Sequence, residues 1–249
     1  MESIRLAVAF IWRSVSAGGA LVGKIPAEAW ATLIASFTGA WLAFRLTERA
    51  NQRAEHRRRI DAVNRAQASL IGQFNTLTVI RQRSIDPYRN HAGRSIAMRP
   101  ELGIPEALPI DFGSLSFLLE LDEESPMLVL GMIIERQRFD TVREAIHKRN
   151  ELHWEQVQPS LQASGIKEGV NYSEEQIEKA LGTLVFRHLE RLTTGIIDQV
   201  DATERSTLEL IDLVKLKMKK RYPKEKIIFV IPNKPPARYN PTRASGPNA

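Results

Sequence analysis

Residues 26–46, PAEAWATLIASFTGAWLAFRL, constrain this chain more than any other stretch. From 29 to 44 no side chain carries a charge. Arg45 follows, and its long stem can carry the guanidinium up to lipid headgroups, so the usable apolar length runs to Leu46. Those 18 residues approach the ~20 that a helix needs to cross a ~30 Å hydrocarbon core. Trp30 stands at one end, and Trp41, Phe44 and Arg45 near the other, where amphipathic side chains favour the membrane interface. Pro26 suits a first helical turn, because its missing N–H would be unpaired there. The expectation is one transmembrane helix over 26–46. A buried helix in a soluble domain is the competing explanation, and the basic run after Leu46 weighs against it.

The rest of the chain is mostly exposed to water. Of 249 residues, 43% are hydrophobic, and the mean hydropathy is −0.25, which leaves room for only one segment inside a membrane. The net charge of +6 favours acidic partners, such as lipid headgroups or nucleic acid, without selecting one. There is no cysteine, which excludes disulfides, thiol nucleophiles and cysteine-bound zinc. Neither GxGxxG nor GxxxxGK[ST] occurs.

Residues 1–25 read as an amphipathic arm, with Ile4, Val8, Ile11 and Val15 on one helical face and Arg5, Ala9 and Arg13 on the other. A cleaved signal peptide is the alternative, with Val15-Ser16-Ala17 as its cleavage triplet. Arg5, Arg13 and Lys24 precede the apolar segment; Arg45, Arg49, Arg53, Arg57, Arg58 and Arg59 follow it. That excess puts the N-terminus outside and the C-terminal bulk in the cytoplasm of a bacterial inner membrane. Ala31, Ala35, Gly39 and Ala43 recur every four residues, a small-residue face through which two such helices can associate.

No breaker separates the segment from residues 47–85, which read as a cytoplasmic stalk helix. Ile60, Val63, Leu70, Phe74 and Leu77 follow a heptad seam, with Gln67 and Arg81 in its remaining slots. Pro87, Pro100, Pro105 and Pro109 make 86–112 an irregular linker. A helical bundle over 113–222 comes next. Asp111 or Ser114 caps a short helix, and the turn Asp122-Glu123-Glu124-Ser125-Pro126 starts a long one with Leu128, Met132, Phe139, Val142, Ile146 and Leu152 on its face. Ser173-Glu174-Glu175-Gln176 is a capping box opening the longest pattern, in which Leu181, Leu184, Leu189, Ile196, Val200, Ile211 and Val214 share a face. Residues 223–249 hold a short β-type run, 227–231, and a tail rich in Pro and Asn.

Chemistry is hard to find here. Glu144 and His147 form a single Glu-x-x-His, whereas a ferritin-like di-metal site needs two on separate helices. The Arg-to-His spacings are also wrong for a HEPN ribonuclease motif, which requires four to six intervening residues: Arg143 to His147 and Arg149 to His153 leave three, and Arg83 to His91 leaves seven. No catalytic residue, metal ligand or cofactor is assigned. The strongest charge feature beyond the juxtamembrane run is Lys215, Lys217, Lys219, Lys220, Arg221, Lys224 and Lys226. A helix dipole accounts for some of these cations, and a solvated helix end is one reading of the cluster; the surplus suggests the other, a patch for an acidic partner. If the helix from 126 returns toward the membrane and the last helix runs outward, the patch lies far from the bilayer. A linker that itself returns would reverse that order.

Residues 114–159, SLSFLLELDEESPMLVLGMIIERQRFDTVREAIHKRNELHWEQVQP, resemble a recurring segment of uncharacterised bacterial single-span inner-membrane helical proteins. The shared order is a span, a charged helix, SFLL, an acidic-Pro turn and an ERQRF-type helix. The resemblance implies an inner-membrane protein and carries no site residue. The layout is also similar to the pore-forming membrane accessory proteins of RNA-targeting CRISPR systems. The sequence thus predicts an all-α protein, one N-terminal transmembrane helix followed by an antiparallel bundle or coiled coil of long helices. The expected role is a non-enzymatic membrane-anchored scaffold or sensor that binds macromolecules, with nucleic acid, an acidic protein or a second copy of the chain as candidate partners. An oligomeric membrane-perturbing effector is the alternative, and a nuclease ranks last.

Overall fold

The computed structural model describes residues 27–101, 103–167, 170 and 172–228. The expected amphipathic arm and most of the C-terminal tail lie outside them. The described chain is all-helical, with helices packed on one another and no strand among the described residues; residues 227 and 228 of the expected β-type run form none. The chain divides into two compact units, Met1–Arg57 and Arg58–Ala249.

In the first unit, the described residues belong to helix α1, Ala27–Ile80, which continues into the second unit. Every residue from 31 to 44 is exposed. Among the described residues no helix is long and apolar enough to cross a membrane. The expectation of an ordinary spanning helix over 26–46 is corrected to that extent. The physical reason lies in composition: Thr32, Ser36, Thr38 and Gly39 dilute the apolar run, and Arg45 ends it.

The second unit is a bundle of three long helices. Ile60–Ile80 of α1 lead, through a wider π-helical turn at Arg81–Ile85, into the segment expected as a linker. That segment holds a single turn of helix, α2 (Arg94–Ala97), and then a 3-10 helix, Gly113–Glu120. Helix α3, Ser125–Leu152, follows, then a second π-helical turn, His153–Val157, and α4, Gln158–Ala163. Helices α5, Glu174–Leu181, and α6, Thr183–Arg221, complete the unit.

The core has three levels. At the first, Ile60, Val63 and Leu70 of α1 meet Leu128 and Met132 of α3 and Ile211, Val214 and Met218 of α6. At the second, Leu77 and Ile80 meet Phe139, Val142 and Ile146, and Ile196, Ile197 and Val200. At the third, Val157 and Leu161 meet Leu181, Phe186 and Leu189. Helices α1 and α3 therefore climb the bundle in the same direction, and α6 descends against both. The heptad seam of α1 is covered inside the chain, and its polar slots have partners there. Gln67 Nε2 donates to the Ile211 carbonyl at 3.0 Å, and Arg81 pairs with the buried Glu204 at 2.5 Å.

The parallel course of α1 and α3 depends on residues 86–112, which run back down the bundle as a packed strap rather than a loose linker. Met98 and Ala107 are buried in the second core level. Arg89 holds Asp201 with two N–H groups, at 2.6 and 2.9 Å, and Arg94 donates to Thr194 Oγ1 at 3.1 Å. Ser69 Oγ and Arg136 both donate to the Leu108 carbonyl, at 2.6 and 3.2 Å. The four prolines limit the strap to that single helical turn, and Ser69 and Arg136 take up the Leu108 carbonyl, which has no helical partner.

Helix starts follow the sequence closely. Asp122 accepts from the Glu124 and Ser125 N–H groups at 3.0 and 2.8 Å, opening α3. Asp111 accepts from the Ser114 N–H at 3.2 Å before the 3-10 helix. The Ser173–Gln176 capping box is complete in both directions. Two breaks differ from expectation. Pro159 does not end a helix; it sits in the first turn of α4, directly after the π-helical turn, whose wider path relieves the clash of its ring with the preceding turn. The pattern after Ser173 is not one helix, because Gly182, at φ 79, interrupts it in a conformation that favours glycine. The restart rotates Leu184 out of the core, leaving it 84% exposed, while Phe186 and Leu189 turn inward.

Candidate functional site

Helix α6 descends to the first core level, so its basic C-terminus lies at the end of the bundle marked by Ile60 and Val63. This corrects the expected placement at the opposite end; the returning strap is the cause. The helix is held there by Val214, Met218 and Tyr222, all buried. Lys219, Lys220 and Arg221 are exposed in its last turn, where cations favour the negative end of the helix dipole. The Arg221 guanidinium lies over the Tyr222 ring at 5.8 Å. Lys215 and Lys217 are half-buried. Lys217 is tied to the acidic turn before α3, bonding Glu124 and approaching Asp122 at 3.5 Å. That contact raises the Lys217 pKa; the Asp122 carboxyl is held below its usual range by the Ser125 hydroxyl first and by Lys217 last.

Lys224 and Lys226 come after the helix but do not trail from it. Asn64 of α1 donates from Nδ2 to the Lys226 carbonyl at 3.1 Å, and its Oδ1 accepts from the Ile228 N–H at 3.0 Å. Ile227 is buried in the first core level. The amide of Asn64 thus acts as a short stretch of peptide backbone and fastens the basic segment to the bundle. Sequence reasoning missed this residue: one Asn in a polar helix carries no signal until its partner is adjacent. Six of the seven predicted patch residues are therefore gathered at one end with exposure in full or in part, and the seventh, Lys217, is engaged by acids. Arg58, also exposed, enters at the same end.

In the first unit, Trp41, Phe44 and Arg45, expected at a membrane interface, occupy one stretch of α1. Arg45 places its guanidinium over the Trp41 ring at 5.2 Å. The side chain of Trp30 lies outside the described residues. Leu33, Ile34, Phe37, Trp41 and Phe44 recur at spacings of three and four and share a side, all of them 44–68% exposed. Ala31, Ala35, Gly39 and Ala43 are exposed as well, and a Cβ on Gly39 would meet nothing within 4 Å. The hydroxyls of Thr32 and Thr38 donate to the carbonyls of Glu28 and Ile34 at 2.8 and 2.7 Å.

The residues weighed for chemistry are arranged for structure. Glu144 pairs with Lys148 at 2.7 Å, and His147 approaches Glu151 at 3.2 Å, all on the exposed side of α3. Among the described residues no group of three or more acidic or histidine side chains is placed to hold a metal ion. A groove of about 460 Å³ between the strap and α3 is lined by Glu101, Asp140, Arg143, Glu144, His147 and Asn150. Its Asp140 is already shared by Arg136 and Arg143, at 3.0 and 3.4 Å. Arg149 and His153 lie one turn apart, and both are buried, at 1% and 3% exposure. Arg149 donates to Thr193 Oγ1 and the Ser95 carbonyl, both at 3.0 Å, and to the Met98 carbonyl at 2.5 Å. Burial lowers its pKa to about 10.

No family model, curated protein or solved structure matches the chain.

Proposed function

We propose that this chain is a non-enzymatic, membrane-anchored helical scaffold, with residues 29–46 held once in a bacterial inner membrane, the N-terminus outside and the bundle in the cytoplasm. One observation carries this: from 31 to 44 the helix is uncharged on every side and exposed on every side. A helix with no charge on any side and its large apolar side chains uncovered favours a non-aqueous environment. The polar residues that dilute the run do not argue against lipid as strongly as their composition implies, because Thr32 and Thr38 satisfy their hydroxyls on carbonyls of their own helix. The Arg45–Trp41 stack supplies the kind of amphipathic pair found at membrane interfaces. Orientation rests on six basic residues after the segment against three before it.

The expected outcome is that the full-length chain stays with the membrane fraction through extraction at high pH. Ile34→Arg with Phe37→Arg should release it, since each arginine near a bilayer centre costs about 2.5–3.5 kcal/mol. Extraction of the unsubstituted chain would refute the anchor, and a C-terminal reporter active only in the periplasm would refute the orientation.

The open face of Ala31, Ala35, Gly39 and Ala43 favours a second reading, in which copies associate through it and perturb the membrane. Depolarisation of cells expressing the chain at native level, abolished by Ala35→Leu with Gly39→Leu, would select that effector role over the scaffold.

A further inference from the structure

We propose that the basic end of the bundle is a clamp for anionic lipid headgroups, formed by Lys219, Lys220 and Arg221 with Lys224, Lys226 and Leu216. This deepens the anchoring role proposed above and rests on it. The chain path supplies the first argument. The patch occupies the core level of Ile60 and Val63, where the chain enters the bundle, and only residues 47–57 separate that entry from the apolar segment. A cluster of Lys and Arg that meets an anionic leaflet is attracted to its headgroups, within a reach of about a Debye length.

The chemistry of the exposed face also suits a lipid surface. Buried Val214 and Met218 fix which side of α6 packs inward. On the outward side, Leu216 is 66% exposed and has Lys219 and Lys220 three and four residues on, so the three are surface neighbours. Leu213, one turn earlier, is 46% exposed, and so is Ile228, held in place by Asn64. Large aliphatic side chains beside lysines suit an interface with acyl chains below and phosphates above. Single-stranded nucleic acid is instead held by exposed aromatic platforms. Among the described aromatic residues of this end, Tyr222 is buried, and Phe117 is half-buried with Arg59 over its ring at 5.4 Å. The acidic turn that would repel a phosphate surface is partly neutralised by Lys217.

The test uses the full chain, which contains no cysteine, with Leu216→Cys carrying an environment-sensitive fluorophore. The chain is reconstituted into nanodiscs of phosphatidylcholine alone or mixed with phosphatidylglycerol. The expected result is a blue shift and quenching by spin-labelled lipid in the mixed discs only. Both effects should vanish at high salt and in a chain that also carries Lys219→Glu, Lys220→Glu and Arg221→Glu. Incorporation into both discs without any dependence on phosphatidylglycerol overturns the clamp and leaves the anchor standing. Failure to co-elute with either disc overturns both. A shift produced by a duplex oligonucleotide, and not by phosphatidylglycerol, overturns the lipid assignment in favour of nucleic acid.

Discussion

Arg149→Ala is expected to destabilise the bundle by about 3–5 kcal/mol, because it leaves three buried acceptors without their donor at about 1–3 kcal/mol each, offset in part by release of a desolvated charge. The side chain is 1% exposed and bonds Thr193, Ser95 and Met98 at once. It therefore ties the strap to both α3 and α6, with no carboxylate among those three partners. Arg149→Lys should recover only part of the loss, since an ammonium cannot reproduce the planar fork. Denaturant unfolding of the full chain in detergent measures both, and a loss under ~1 kcal/mol for the alanine variant would show that the strap is held by other contacts. His153 adds a pH dependence. Burial first, and the Arg149 charge second, lower its pKa below the ordinary 6.5, so the folded state favours the neutral ring. The unfolded chain binds the proton more readily, and stability should fall as pH drops through and below that ordinary value.

Leu70→Asp combined with Phe74→Asp is expected to unfold the second unit outright. Leu70 is fully buried at the first core level, and Phe74 packs against the same cluster. Removing a buried leucine alone costs about 2–5 kcal/mol, and an unpaired carboxylate in its place adds to that. The sum is comparable to the 5–15 kcal/mol that holds a typical domain together. A heptad seam of this kind can also pair copies of a chain. Its burial inside the chain makes melting, rather than a change in oligomer size, the first effect. An unchanged melting transition would contradict the packing of α1 against α3 and α6.

What the sequence made legible was whatever depends on neighbours along the chain. The capping box at Ser173, the Asp122 turn, the seam of α1 and the inward face of α3 are all set by spacings of three or four residues, and each is found where the spacing placed it. What stayed hidden depends on contacts across the chain. The course of residues 86–112 is fixed by Arg89 with Asp201, Ser69 with Leu108 and Arg149 with Ser95, pairs that no periodicity reveals. Because that course reverses the direction of α3, it also moved the basic patch from the far end of the bundle to the Ile60 end. Gly182 was the remaining ambiguity. A single glycine inside a helical pattern is often tolerated, and only its positive φ decides that the helix restarts and Leu184 faces outward. The apolar segment was legible as a feature, while its length and dilution by Thr32, Ser36 and Thr38 leave it short of an ordinary span.

The anchor is the central claim, and the absence of cysteine makes one measurement direct. Single cysteines replace Phe37, within the apolar segment, and Ala54, beyond it. Inside-out inner-membrane vesicles carrying each full-length variant are treated with a water-soluble maleimide, before and after dissolution in detergent. Ala54→Cys is expected to react at once, while Phe37→Cys stays unmodified until the bilayer is dissolved. Equal labelling of both positions in intact vesicles would show that residues 29–46 lie in water, and would contradict the account.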